Sequence, residues 1–305
     1  MKRASDSSSA SQPACLKVTE PVELLKYLLA SFPNNSRSCA KGWLAHHQVF
    51  VNGSMVSQFN YLLKAGDGVQ IGGGKIATAK PLKQHDYFSI VFEDDYLIVV
   101  DKRAGILTMA SADEKIHTVY HGLSQYMKSK HPRGKIFIVH RLDRDTSGLV
   151  VFAKSEKVQQ LFQEDWKQVV THRVYVAITE GVVLKNEGVV ESFLYESKSL
   201  VVHSGTNPEK GKQAVTNYKV IRRSEDFTML ELQLDTGRKN QIRVHMQDLG
   251  HCVVGDKKYG AKGNPLGRLG LHAKRLSFVH PVTHQSMNFQ SSTPKKFLHL
   301  FCKGH

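Results

Sequence analysis

Residues 140–145 read His-Arg-Leu-Asp-Arg-Asp, and a Thr146-Ser147-Gly148 turn and an apolar run follow at once. So much charge beside a stretch that reads as a buried strand is either a solvated turn or a working site. In the first case Asp145, Thr146 and Ser147 bond backbone amides and Asp143 is an ion-paired loop carboxylate. In the second, Arg141 and Arg144 flank Asp143 and keep its pKa low, so that it stays ionised at neutral pH. Such a carboxylate can act as a nucleophile, or can stabilise positive charge on a sugar carbon as in glycosidic chemistry.

A reactive carboxylate must be carried on rigid elements. "KIFIV" (135–139) before the loop and "GLVVFAK" (148–154) after it read as strands, so 140–147 joins two buried elements. "FSIVFEDD" and "YLIVVDK" form a hairpin with Asp94-Asp95 at the turn. "HTVYHGLSQYMKSK" reads as an amphipathic helix, and "SEKVQQLFQEDWKQ" as another with Ser155 as N-cap. "HRVYVAITEGVV", "QAVTNYKVIRR" and "FTMLELQLDTG" alternate apolar and polar residues and read as strands. "NQIRVHMQDLG" reads as a helix ending at Gly250, and "HAKRLSFVHP" and "QSMNFQSS" as closing strands. Strands outnumber helices and follow one another directly, which predicts an α+β fold built on a large, mainly antiparallel sheet with flanking helices.

Upstream, "PVELLKYLLASF" has Leu24, Leu25, Leu28, Leu29 and Phe32 at helical spacing, and "SRSCAKGWLAHH" reads as a second helix with Ser36 as N-cap. "QVFVNG" and "GDGVQIG" add short strands with turns. The predicted organisation is a disordered leader over 1–19, a small α/β module over 20–71, a glycine- and lysine-containing linker over 72–86 and a larger domain over 87–305.

The 305 residues carry a formal charge of +15, of which residues 1–80 hold +5. A basic excess spread over folded segments favours a polyanionic partner, nucleic acid before others. Cys15, Cys39, Cys252 and Cys302 lie far apart and form no CxxC, which fits a reducing cytoplasm and argues against a disulfide scaffold or structural zinc. The histidines include no HExxH, and the adjacent His46-His47 do not bring two rings onto one ion, so no metal site is expected. No apolar stretch approaches the roughly 18–20 residues of a membrane helix, and "MKRASDSSSASQPA" has no apolar core of a signal peptide.

The segment "HRLDRDTSGLVVFAKS" resembles the signature HRLDxxTSGxxxxAK of the RluA-type pseudouridine synthases at every fixed position. "FEDDYLIVVDKRAGI" (92–106) resembles the family's first strand pair and the Lys-Pro-Ala-Gly turn after it, "HRVYVAITEG" (172–181) resembles the motif that carries the family's active-site tyrosine, and "GKQAVTNYKV" (211–220) and "LDTGRKNQIRVHMQDLGHCVVGDKKYG" (234–260) resemble its later motifs. Arg103 stands where proline is usual, and Lys239-Asn240-Gln241 where Thr-His-Gln is usual. The residues before the linker resemble an S4 RNA-binding module through "SRSCAKGWLAHHQVFVNG" and "LLKAGDGVQI".

The resemblance covers about residues 20–302 and implies a pseudouridine synthase fold that isomerises uridine within RNA without a cofactor, most closely in large-subunit ribosomal RNA or else in transfer RNA. It implies Asp143 as catalytic carboxylate, Arg243 as the group that holds and aims it, and Tyr175 as a platform for the uracil that also helps remove the C5 proton. Arg141 fills the space of the displaced base or contacts phosphate; Arg144, Arg238, Gln241 and His245, with Arg37 and Lys41 of the first module, are the further expected RNA contacts. The expected protein is a cytoplasmic monomer. Two rivals are an inactive RNA-binding protein and a hydrolase with paired carboxylates; the second lacks a matching second carboxylate motif and leaves the S4-like module unexplained.

Overall fold

Leu24, Leu25 and Leu28 recur at helical spacing, and in the computed structural model they are buried on the helix α1 (Leu24–Ser31). The structure describes residues 15–33, 35–45, 49–52, 54–56, 58–71, 83–84, 86–111 and 114–302. The chain divides into two compact units, Met1–Lys75 and Ile76–His305. In the first, β1 (Cys15–Lys17), β2 (Val22–Glu23) and α1 precede α2 (Arg37–Ala45). β3 (Val49–Val51), β4 (Ser54–Met55), β5 (Leu62–Leu63) and β6 (Gly68–Ile71) follow. A sheet in the order β1-β6-β3-β4 and the pair β2-β5 enclose a core of Leu24, Leu28, Leu44, Val49 and Val69. Asn52 takes a left-handed φ of 51°, which asparagine tolerates, and its side chain donates to Asp67 and accepts from the amide of Gly68, tying the turn after β3 to the start of β6.

Two boundaries differ from the sequence reading. Cys15–Lys17, within the expected leader, pairs antiparallel with β6, because Val18 just beyond it is buried in the core. Residues 1–14 of that leader lie outside the described residues, as do 72–82 of the expected linker. The linker's Lys83–Gln84 instead forms β7, an edge strand on β8.

The second unit continues with β8 (Phe88–Glu93), β9 (Leu97–Lys102), α3 (Val119–Lys130), β10 (Phe137–Ile138) and β11 (Ser147–Ala153). After these come α4 (Glu156–Glu164), α5 (Trp166–Val169), β12 (Val170–Glu180), β13 (Glu187–Glu196), β14 (Val202–Gly205), β15 (Lys212–Arg223) and β16 (Phe227–Leu234). The unit closes with α6 (Gln241–Asp248), β17 (Leu271–Val279), β18 (Ser286–Gln290) and α7 (Lys295–His299). Its sheet runs β14-β13-β15-β16-β12-β17-β11-β9-β8-β7, with β10 beside β11 and β18 beside β17. The β11–β17 pair is parallel and the remaining pairs are antiparallel.

β11 is buried along its whole length, which explains its unbroken apolar run. Val150 and Phe152 join a core with Leu123 of α3 and Ile242 and Met246 of α6, while Leu149 and Val151 join a second core with Phe162 of α4. Ser155 caps α4 by accepting from the amide of Val158. The helix read as continuous through 168 breaks at Asp165 into α4 and α5. β13 and β14 fall where the sequence shows no clean period, since β13 is only part-buried.

Candidate active site

The loop between β10 and β11 is tied down from three directions. Thr108 donates its hydroxyl to the Leu142 carbonyl at 2.8 Å and accepts from the Leu142 amide at 3.1 Å. Lys102, at the end of β9 and 1% exposed, gives its three N–H donors to the carbonyls of Arg103, Ile106 and Arg144. Ser147 Oγ lies 2.8 Å from His272 Nδ1 on β17 and accepts from Arg268 at 2.8 Å, so Ser147 bonds side chains across the sheet rather than a turn amide. Gly148, at φ 113°, sits where a Cβ would meet the Ala273 carbonyl oxygen at 2.2 Å. Only glycine permits the parallel strand to approach this closely at the base of the loop.

This frame holds Asp143 in an open cleft lined by Arg141, Leu142, Thr146, Tyr175, Leu234, Arg238, Asn240, Gln241, Ile242, Arg243 and Leu271. The nearest cation is Arg243 of α6, whose Nη1 lies 3.8 Å from an Asp143 carboxylate oxygen. Arg243 is itself gripped by the buried Asp256, which accepts from Nε at 2.7 Å and from Nη2 at 2.6 Å. Such a fork-to-fork pair fixes the guanidinium plane. The result is a row of carboxylate, guanidinium and carboxylate, the outer member of which faces the cleft.

Electrostatics correct the expectation of a low pKa at Asp143. Burial raises it above the ordinary 3.8, against the pull of Arg243, Arg141 and Lys102, with Asp256 adding to the rise. The side chain keeps 36% of its surface, so solvent limits that rise. The Arg144 side chain is exposed, and it is its backbone carbonyl that turns inward, to Lys102. Burial also pulls the Lys102 ammonium down to about 7, Asp145 and Asp143 opposing and Arg268 reinforcing the fall. Tyr175, on β12 and 9% exposed, has its phenol pushed up by burial, which leaves it protonated and suits a stacking surface better than a proton acceptor.

Of the other residues singled out, Arg141 and Arg238 line the cleft and are exposed, Arg238 with its Nε on the Gln213 carbonyl. Gln241 and His245 are corrected. Gln241 reaches the cleft wall, yet it donates to the Val215 carbonyl and Thr216 hydroxyl and accepts from Thr236 and the Arg238 amide. His245 is fully buried between Thr216 at 2.8 Å and Ser192 at 3.1 Å. Both hold α6 to the sheet and have no polar side-chain atom left for RNA. Arg144 is exposed but lies outside the cleft lining. Arg37 and Lys41 belong to the other unit, exposed one helical turn apart on α2. The sequence reading missed Asp256, Lys102, Thr108 and Tyr259; the "VVGDKKYG" and "VVDKRAG" motifs contain three of them, but not what they bind. Among the described residues no group of three or more His, Cys, Asp or Glu is placed to hold a metal ion, and no helix is long and apolar enough to cross a membrane.

Comparison with known proteins shows the family. Residues 96–248 match the family model described as RNA pseudouridylate synthase. The chain is 32% identical over 267 residues to the uncharacterised RNA pseudouridine synthase YhcT of Bacillus subtilis, covering 87% of this chain and 88% of the relative. It is 31% identical over 283 residues to the ribosomal large subunit pseudouridine synthase D of Pasteurella multocida, covering 88% and 87%. The solved structure of human RNA pseudouridylate synthase domain containing 4 superposes with a TM-score of 0.57 at 26% identity, over 69% of this chain and 90% of that one. That of human domain containing 1 shares the fold, with a TM-score of 0.54 at 21% identity, over 70% and 87%. The matched region carries Asp143, its loop and the whole of α6, and the similarity runs well beyond it on both sides, so the chain belongs to the RNA pseudouridylate synthase family and is an RNA pseudouridine synthase, an isomerase.

Proposed function

We propose that this synthase modifies specific uridines of large-subunit ribosomal RNA, with Asp143 as the catalytic carboxylate, Arg243 as its charged partner and Tyr175 as the surface on which the uracil stacks. The observation that carries the reading is the Asp143 carboxylate 3.8 Å from a guanidinium that Asp256 holds in place, at a cleft walled by Tyr175. In the isomerisation the C1′–N1 bond breaks, the base turns and a C1′–C5 bond forms, while a proton leaves C5 and one is gained at N1. There is no net oxidation or reduction, so the chemistry needs positioned charge rather than a cofactor. Asp143 acts either on the sugar or uracil carbon or on a ribose proton; in each case it must be ionised, and Arg243 favours that state.

The target base leaves its stack at a cost of a few kcal/mol. Arg141 and Arg238, exposed at the cleft, are suited to phosphates or to the vacated space. The N-terminal unit is proposed to bind RNA as an S4-like module through Arg37 and Lys41, followed in the chain by a catalytic domain whose sheet begins with β7. The proposed setting is a cytoplasmic monomer, the cytoplasmic part supported by the cysteine usage. The ribosomal substrate is supported by relatives named ribosomal large subunit pseudouridine synthase D at 31–32% identity. Mapping pseudouridines by carbodiimide-induced reverse-transcription stops, in cells with and without this chain, tests the reading. Loss of stops at sites in large-subunit ribosomal RNA is expected. Loss confined to transfer RNA assigns the other substrate, and no loss anywhere favours an inactive RNA-binding protein.

A further inference from the structure

Asn240 immediately precedes α6 and adopts a left-handed φ of 55° and ψ of 17°, a conformation asparagine tolerates better than most side chains. It is 8% exposed and both ends of its amide are engaged. Its Oδ1 accepts from Arg243 Nη1 at 3.2 Å, and its Nδ2 donates to the Tyr259 hydroxyl at 2.9 Å. Tyr259 is 2% exposed, its hydroxyl also accepts from the Val202 amide at 3.3 Å, and its ring lies 4.8 Å from the Arg243 guanidinium carbon.

Arg243 is therefore gripped on three sides. Asp256 takes the Nε–Nη2 edge, the Tyr259 ring takes one face, and Asn240 takes one N–H of Nη1. Nη1 is the nitrogen nearest Asp143, at 3.8 Å. With one of its two in-plane hydrogens committed to Asn240, the other is left for Asp143. Asp256 alone would leave the guanidinium able to rock about its gripped edge. We propose that Asn240 is a positioning residue, fixed by Tyr259, that aims the free N–H of Arg243 Nη1 at Asp143. This rests on the reading of Asp143 and Arg243 as the working pair.

The charged and titratable groups that face Asp143 include Arg243 and Asp256, Arg141 on its own loop, Lys102 on β9 and Tyr175 on β12, with the exposed Arg238 lining the same cleft. A freer Arg243 would stabilise the Asp143 carboxylate less, and the acid limb of the pH–rate profile would move to higher pH.

Two changes at 240 separate aiming from folding, assayed in the full-length protein on RNA containing the target uridine. Asn240→Gly keeps the left-handed backbone and deletes the amide. It is expected to lower kcat about 10- to 100-fold with KM within about threefold, and to shift the acid limb upward. Asn240→Asp retains acceptors for Arg243 and for the Tyr259 hydroxyl but adds a carboxylate. It is expected to recover kcat to within about fivefold of the parent at alkaline pH, with the acid limb still raised. A kcat and pH profile for Asn240→Gly equal to the parent's overturns the proposal, as does a loss confined to KM. Should Asn240→Gly not fold, Tyr259→Phe decides, with a fall in kcat of about three- to tenfold and a raised acid limb expected; no change overturns the proposal. Asp143→Asn separates the two readings. If it is inactive and Asn240→Gly behaves as the parent, only the aiming role is lost; if it is active, the underlying pair is wrong.

Discussion

Arg37 and Lys41 in the N-terminal unit stand exposed one turn apart on α2, whereas Arg243 in the C-terminal unit keeps 14% of its side-chain surface and is bound by Asp256, Asn240 and Tyr259. The two arrangements suit different tasks. An exposed, mobile cation gains from neutralising phosphate and releasing counterions, which carries little sequence or atomic selectivity. A clamped cation loses that adaptability but holds one N–H near one carboxylate, which a reaction centre requires. Charge count alone makes these residues equivalent; burial and partners separate them.

The comparison is tested most severely at the carboxylate. Asp143→Asn removes one charge and little volume, and is expected to lower kcat by at least about 10³-fold while RNA affinity stays within about tenfold. Substantial turnover by this variant would place the chemistry elsewhere. Next is Arg243→Lys, which keeps the charge but cannot span both Asp256 oxygens and the Asn240 carbonyl; kcat is expected to fall about 10²-fold with KM little changed. A loss seen mainly in KM would make Arg243 an RNA contact like those of α2. Because burial raises the Asp143 pKa, the acid limb of kcat/KM in the parent enzyme should lie above the ordinary carboxylate value of 3.8, activity rising with pH as the carboxylate ionises.

At the other pole, Arg37→Ala combined with Lys41→Ala should raise KM several-fold, leave kcat unchanged and reduce the salt dependence of RNA binding by a log–log slope of about two. An unchanged salt slope would assign the N-terminal unit to packing instead of RNA contact. The last expectation concerns stability. Burial pulls His140 down to about 3 and His272 to about 4, so between those values and 6.5 the unfolded chain binds protons that the folded chain does not. Stability should thus rise with pH through that window, and by pH 5 each histidine should have removed about 1–2 kcal/mol relative to neutral pH. Thermal melts between pH 4 and pH 8 check this, and His272→Gln should flatten part of the slope.

Much of the site was legible locally. The loop sequence marked Asp143, the flanking apolar runs marked β10 and β11, and Ser155 marked the start of α4. Helical spacing also held a warning within the "NQIRVH" motif. Gln241 and His245 are four residues apart and share a face of α6, while Arg243 lies on another, so the three cannot all meet one ligand. Which face meets the cleft depends on β13 and β15, which supply Ser192 and Thr216 to His245 and lie far from the motif in sequence. β13 itself was hidden because a part-buried strand shows no strict alternation.

The sequence by itself determined which groups are available: a carboxylate in a fixed loop, an abundance of cations and strands able to carry the loop. Only the tertiary structure decided their states. It set Asp143 deep enough that burial outweighs its cationic neighbours, gave Arg243 to Asp256, and turned the Arg144 side chain outward while drawing its carbonyl onto Lys102. The physical reason is that residue type follows from sequence position, whereas a pKa or an aimed hydrogen bond depends on the solvent excluded and the charges gathered by segments distant in the chain.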